Sequence, residues 1–184
     1  MDSDTSNIKN LIDEIIVAKQ KYEILKFDEE YVPKLGEAAS TGHIKKLEAI
    51  LGKPLPPSYK AFLELYNGWE EFHGDGKLLS TEDHESNWVK DKIQFWSGLW
   101  EKENPSKNPF EQGAIPVMLG ESLNHFIVLD PNREGPNGKL DFVEFDYMCE
   151  ESTYEDFTAY LQEELEILQI LIDREMNGVL DDSE

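Results

Sequence analysis

The chain has a single cysteine, Cys149. That excludes an internal disulfide and any Cys-x-x-Cys pair, and it suits a reducing compartment. Histidine is also scarce: His43, His73, His84 and His125 are the four, and none stands at His-x-x-x-His spacing. Basic residues number 17 against 39 acidic ones, a formal charge of -22. A polyanion of this strength is repelled by phosphate backbones and anionic lipid, which argues against nucleic-acid and membrane-surface partners. No apolar run reaches the ~18 residues of a membrane span. The opening MDSDTSNIKN has neither a basic n-region nor an apolar h-region, so no signal peptide is expected. The expected location is the cytoplasm. No nucleophile elbow and no P-loop occur.

What is present suits a folded domain. Hydrophobic residues make up 39% and aromatics 11% of the 184 residues, enough for a core. The negative charge should attract basic partners; keeping the protein soluble is the plainer use of it.

Periodicity predicts a first helix to about Phe27, capped near Ser6, with Ile8, Leu11, Ile12, Ile15, Ile16, Lys19, Tyr22 and Leu25 on one stripe. A second helix over Gly42–Leu51 should bury Ile44, Leu47, Ile50 and Leu51 and stop at Gly52. A third, from Pro57 to Tyr66, starts on prolines and ends at Asn67-Gly68. Asp75-Gly76 reads as a turn before a strand at Lys77–Ser80. Ser86–Trp100, with Trp88, Phe95, Trp96 and Trp100, is open between strand and helix. Ala114–Leu119, Phe126–Leu129 and Lys139–Tyr147 read as strands, the last apolar in part on both faces. PNREGPNG is the loop between the last two. Ser152 with Glu155, or Thr153 with Asp156, should cap a final helix buried along Phe157, Tyr160, Leu161, Leu165, Leu168, Leu171 and Ile172. The expected organisation is an N-terminal helix over 1–30, a domain over 31–176 and an acidic tail over 177–184. Its class is α+β: a mixed or antiparallel sheet of about four to six strands, with N-terminal helices and a C-terminal helix packed on it.

Chemical constellations are thin. His73, Asp75, His84 and Glu85 lie close in sequence, but zinc demands three or four convergent ligands, so a polar loop is the simpler reading. Asp130 to Asp141 imitates a calcium loop through Asp130, Asn132, Glu134 and Gly135, yet ends in Asp, carries Pro136 and is flanked by strands. Glu150 and Glu151 disfavour a Cys149 thiolate, and His125 reads as a sheet histidine. The expectation is no enzyme, no metal and no cofactor, with an unrecognised hydrolase as the remote alternative. The best binding candidate is an acidic, aromatic-bearing patch: Trp69, Glu70, Glu71, Asp75, Glu82, Asp83, Glu85 and Trp88. The competing reading puts both tryptophans in the core and the acids in a solvated loop.

Leu47, Leu51, Leu55, Pro56, Tyr59, Phe62, Leu63, Asn67 and Gly68 resemble the signature of the SUKH superfamily, in the branch of yeast cell-wall-assembly regulators and bacterial immunity proteins. Ile115-Pro116, Ile127 to Pro131, Gly138, and the closing Tyr154, Phe157, Tyr160 and Leu161 follow in the family's order. Glu121–His125 and the insert Trp88–Trp100 depart from its pattern. The resemblance implies a compact α+β fold. It also implies either immunity, by binding and neutralising a basic toxin domain such as a nuclease, or a regulatory scaffold. Monomer and homodimer both remain open.

Overall fold

The computed structural model describes residues 3–120, 124–135 and 138–178. The acidic tail from residue 179 onward, Pro136, and part of the departing segment at 121–123 lie outside these. Among the described residues the helices are α1 (Ser3–Phe27), α2 (Thr41–Leu51), α3 (Pro57–Leu65), α4 (Asn87–Glu103) and α5 (Phe157–Asn177). The strands are β1 (Lys34–Leu35), β2 (Trp69–His73), β3 (Gly76–Leu78), β4 (Ile115–Gly120), β5 (His125–Glu134), β6 (Leu140–Asp146) and β7 (Cys149–Tyr154). The strands pair in sequence order, every neighbour antiparallel, as one seven-stranded meander. The class is α+β as expected, with more strands.

Helices cover both faces of the sheet. On one face α1, α2, α3 and α5 close the larger core, where Ile8, Ile12, Phe62 and Leu161 meet Trp69, Ile127 and Phe142. On the other, α4 buries Val89, Trp96 and Trp100 against Phe126, Val128, Val143 and Phe145. Burial from both sides explains the double apolar character of β6. It also settles Ser86–Trp100: the stretch is helix, capped by the Ser86 hydroxyl accepting from Val89 N–H at 3.2 Å.

Several expectations need correction. The first helix begins before Ser6, which lies inside it; Asp4 in the first turn favours that start by complementing the helix dipole. Ile50 is 50% exposed, because at about 100° per residue it falls outside the stripe set by Ile44, Leu47 and Leu51. Ser152 and Thr153 do not open the last helix. They pair with Glu144 and Val143 as part of β7, and Asp156 caps α5 instead, accepting from Ala159 N–H at 3.0 Å. Pro131–Glu134 is the end of β5, not loop.

Strand β2 escaped the sequence reading for a physical reason. Trp69 and Phe72 are both wholly buried although three positions apart, which strict alternation forbids. Glu71 takes a left-handed conformation (φ 55°) where the register with β3 shifts, and this bulge brings both rings into the same core. Pro116 likewise sits where the β4–β5 register shifts, a place where a strand tolerates a residue without an N–H.

Candidate interaction surface

Of the residues singled out in sequence, Trp69 and Trp88 pack into cores on opposite faces of the sheet, and Glu82 and Asp83 build the junction where α3 ends and the β2–β3 hairpin begins. Asn67 is its centre. Its side-chain oxygen accepts from Thr81 N–H (2.8 Å) and Thr81 Oγ1 (3.1 Å), and its amide nitrogen donates to Glu82 Oε2 (2.6 Å). Gly68 follows at φ 97°, so close to Leu78 O and Ser80 N that a Cβ would lie 3.0 Å from each. The Asn-Gly pair thus joins helix, hairpin and the turn that leads through the short 3₁₀ segment Asp83–Glu85 into α4.

The eight candidate residues separate into three kinds. Trp69 is wholly buried, its Nε1 donating to Tyr31 Oη at 2.9 Å, so it belongs to the core. Trp88 is half-buried against the second core, with its Nε1 sealed from solvent and without a partner. Glu82 and Asp83 hold the junction. Asp83 accepts from Ser80 N–H and Oγ, both at 2.7 Å, and pairs with Lys77 at 2.9 Å. Burial opposes the Asp83 charge, but Lys77 and Ser80 outweigh it and hold the carboxyl below its ordinary range. Glu82 behaves alike: burial works against its charge, and Thr81, Asn67 and His43, the last at 2.6 Å, bring it down.

Glu70, Glu71, Asp75 and Glu85 are the exposed remainder. Glu70 pairs with Lys77 and Glu71 with Lys34, each at 2.6 Å. Glu70 and Glu71 stand on β2, at and beside its bulge, Asp75 in the hairpin turn and Glu85 in the 3₁₀ segment.

Beside the hairpin lies a polar cluster that sequence spacing could not reveal, because its members come from six elements. His73 Nδ1 lies 3.4 Å from Glu164 Oε2, and its ring centroid 5.6 Å from that of His125. His125 and Tyr154 both bond to Glu144. Lys19 donates to the Phe72 carbonyl and lies over the Tyr31 and Phe72 rings. The Glu164 hydrogen bond raises His73, against its burial. The His125 hydrogen bond lowers Glu144, again against burial. Burial lowers Lys19. These groups satisfy one another under α5.

The metal-like readings disperse. His73 is a strand residue bonded to Glu164, and His84 and Glu85 belong to the 3₁₀ segment. Among the described residues no group of three or more His, Cys, Asp or Glu is arranged to hold a metal ion. In the calcium-loop imitation, Asp130 is buried and accepts from Asn132 N–H at 2.9 Å, while Glu134 pairs with Lys53 at 2.6 Å. Cys149 is exposed beside Glu150, which grips Arg133 through two bonds of 2.7 and 2.9 Å. No helix of the described residues is long and apolar enough to cross a membrane.

The model of the SMI1 / KNR4 family (SUKH-1) matches residues 38–163, a span that contains the junction and all eight candidate residues. No curated protein matches the chain.

Proposed function

The chain belongs to the SMI1 / KNR4 family (SUKH-1), and from that premise we propose that it is an immunity protein that binds and neutralises a basic bacterial toxin domain. Family membership supports the coarser statement, an immunity- or regulator-type domain. The observation that carries the finer one is a net charge of -22 on a chain whose carboxylates Glu70, Glu71, Asp75 and Glu85, on the β2–β3 hairpin and the 3₁₀ segment after it, are exposed. A nuclease is the toxin type best suited, because a cleft that holds phosphates is basic.

The internal pairs of these carboxylates do not oppose the reading. Glu71 and Lys34 are 57% and 54% exposed, and exposed pairs of this kind are worth about 0–1 kcal/mol. Exchanging Lys34 for a partner's guanidinium therefore costs little. Glu70 and Glu71 also stand on a strand already paired with its neighbours, so less of the interaction energy is lost to ordering the backbone.

Co-expression with the toxin encoded beside it tests the proposal: the chain should restore growth. Glu70→Lys, Glu71→Lys, Asp75→Lys and Glu85→Lys together should weaken protection, with Glu82 and Asp83 left in place because they hold the junction. Undiminished protection rejects this surface. A pull-down that returns signalling proteins and no toxin selects the regulatory scaffold, and turnover of a substrate would select an enzyme.

A further inference from the structure

Helices α1 and α5 run parallel: their first turns border one pocket through Asp4, Asn7, Thr158 and Gln162, and their ends approach at Lys26 and Glu175, 4.0 Å apart. Their inner stripes are spent on the sheet. On the outside the two shoulders leave a groove of about 480 Å³, floored by Val17, Ala18, Leu165 and Ile172. Val17 is 66% exposed. One turn beyond, at i+4 from Lys21 and Ile172, Leu25 and Met176 are 42% and 58% exposed. The exposed apolar positions therefore continue past the groove, over about two helical turns of α1. Val17, Leu25 and Met176 are thus exposed hydrophobics along one side of the helix pair, and such an alignment marks an interaction surface where single scattered residues would not.

We propose that this groove docks an amphipathic helix with a basic polar face, supplied by another protein. Two parallel helices present the trough into which a third packs, and its anchors would read at i, i+3, i+4 and i+7. The rim sets the charge of the occupant: Asp13, Glu14 and Asp173 border the floor with Lys21, and although Lys9 pairs with Asp13 at 2.6 Å, Glu14 and Asp173 keep the balance acidic. A second copy of this chain would bring the same acidic rim and another net charge of -22, and would be repelled. Every residue lining the groove falls outside 38–163, so it is an addition to the shared domain and separate from the hairpin carboxylates. The inference goes beyond the toxin-binding reading and does not rest on it.

The test is fluorescence anisotropy on the full chain. The probe is a labelled peptide of about 18 residues made of Leu and Lys, its leucines at helical spacing. A scrambled peptide of the same composition and a Leu/Glu version serve as comparators. The patterned basic peptide should bind, and both comparators should bind at least about tenfold more weakly. Val17→Lys with Gln169→Lys, both exposed positions, should lose about tenfold in affinity with an unchanged thermal midpoint. Gln94→Lys with Glu101→Gln on α4 makes the same change in net charge and should leave binding intact. No binding at about 100 μM, equal binding of the scrambled peptide, or equal loss in the α4 variant overturns the proposal. So does a dimer in sedimentation that Val17→Lys with Gln169→Lys dissociates, which would assign the groove to a second copy. Because the readout is a synthetic peptide, failure here and failure to protect against a toxin are separate results.

Discussion

Gly36 and Asn67 touch backbone to backbone: a Cβ on Gly36 would lie 2.2 Å from the Asn67 carbonyl oxygen. The contact is stitched on both sides. Gly36 N–H donates to Gly68 O at 3.0 Å, and Asn67 N–H donates to Glu37 O at 3.2 Å. The Asn-Gly pair that closes the family-like helix signature is therefore a joint that sets strand β1 beside β2. Glu82 and Asp83, attractive in sequence as contacts for a partner, are part of the same joint.

Gly36→Ala should destabilise the protein by about 1–3 kcal/mol, because the clash is with backbone and no flexible side chain can give way. Gly52→Ala is the comparison. That residue has φ 74° but nothing within 4 Å of a new Cβ, so only the left-handed penalty of about 1–2 kcal/mol applies. Urea midpoints at constant m-value measure both. A Gly36→Ala loss no larger than that of Gly52→Ala would show that the joint is not tightly closed.

Asn67→Asp keeps an acceptor for Thr81 but turns a donor to Glu82 into a second carboxylate. The expected loss at pH 7 is about 1–3 kcal/mol. Near pH 4, where one carboxyl of the pair takes up a proton, part of that loss should return relative to the unsubstituted protein. Urea midpoints at the two pH values decide it; an equal loss at both would mean that the repulsion is not what destabilises the variant.

Local signals carried far in this chain where they match the local structure. The 3-4 spacing of Ile8 to Ile15, the Gly52 stop and the Pro57 start lie where periodicity and cap chemistry place them. What stayed hidden depends on distant residues. Trp69 and Phe72 break the strand period because Glu71 bulges. Ser152 and Thr153 mimic a cap because nothing local tells that β6 claims them as a strand partner. The acids of the hairpin were legible as a patch. Their division into the exposed Glu70 and Glu71 and the structural Glu82 and Asp83 was not, since it rests on Asn67 and Lys77 reaching across the turn.

The layer made by α4, left open between strand and helix in the sequence, has energetics that separate sharply by position. Trp100 is 2% exposed, with the Phe110, Phe126 and Phe145 rings at centroid distances of 6.3, 5.9 and 5.6 Å. Trp100→Ala should cost about 3–5 kcal/mol through lost burial and the cavity left behind. Phe95, one position before Trp96 and 58% exposed, should be replaceable by Ala within about 1 kcal/mol. Thermal and urea unfolding measure both. Similar losses at the two positions would mean that α4 does not dock through its tryptophan face.

Two histidines should give the stability opposite dependences on pH. His84 is sealed with its Nε2 unpartnered, and burial lowers it from 6.5 to about 4, with the Asp83 charge opposing. Its folded value is depressed, so its contribution is present above pH 6.5 and lost as pH falls through that value toward 4. His73 is raised, first by its hydrogen bond to Glu164, with burial and Lys19 opposing and Glu144 assisting. Its contribution is complete below 6.5 and lost as pH rises through the raised value. His73→Gln should thus destabilise more at about pH 6 than at about pH 8.5. His84→Gln should flatten the decline in stability between about pH 6.5 and 4. Urea midpoints taken across that range for the three proteins test both signs. Parallel curves would show that neither histidine changes its proton affinity on folding.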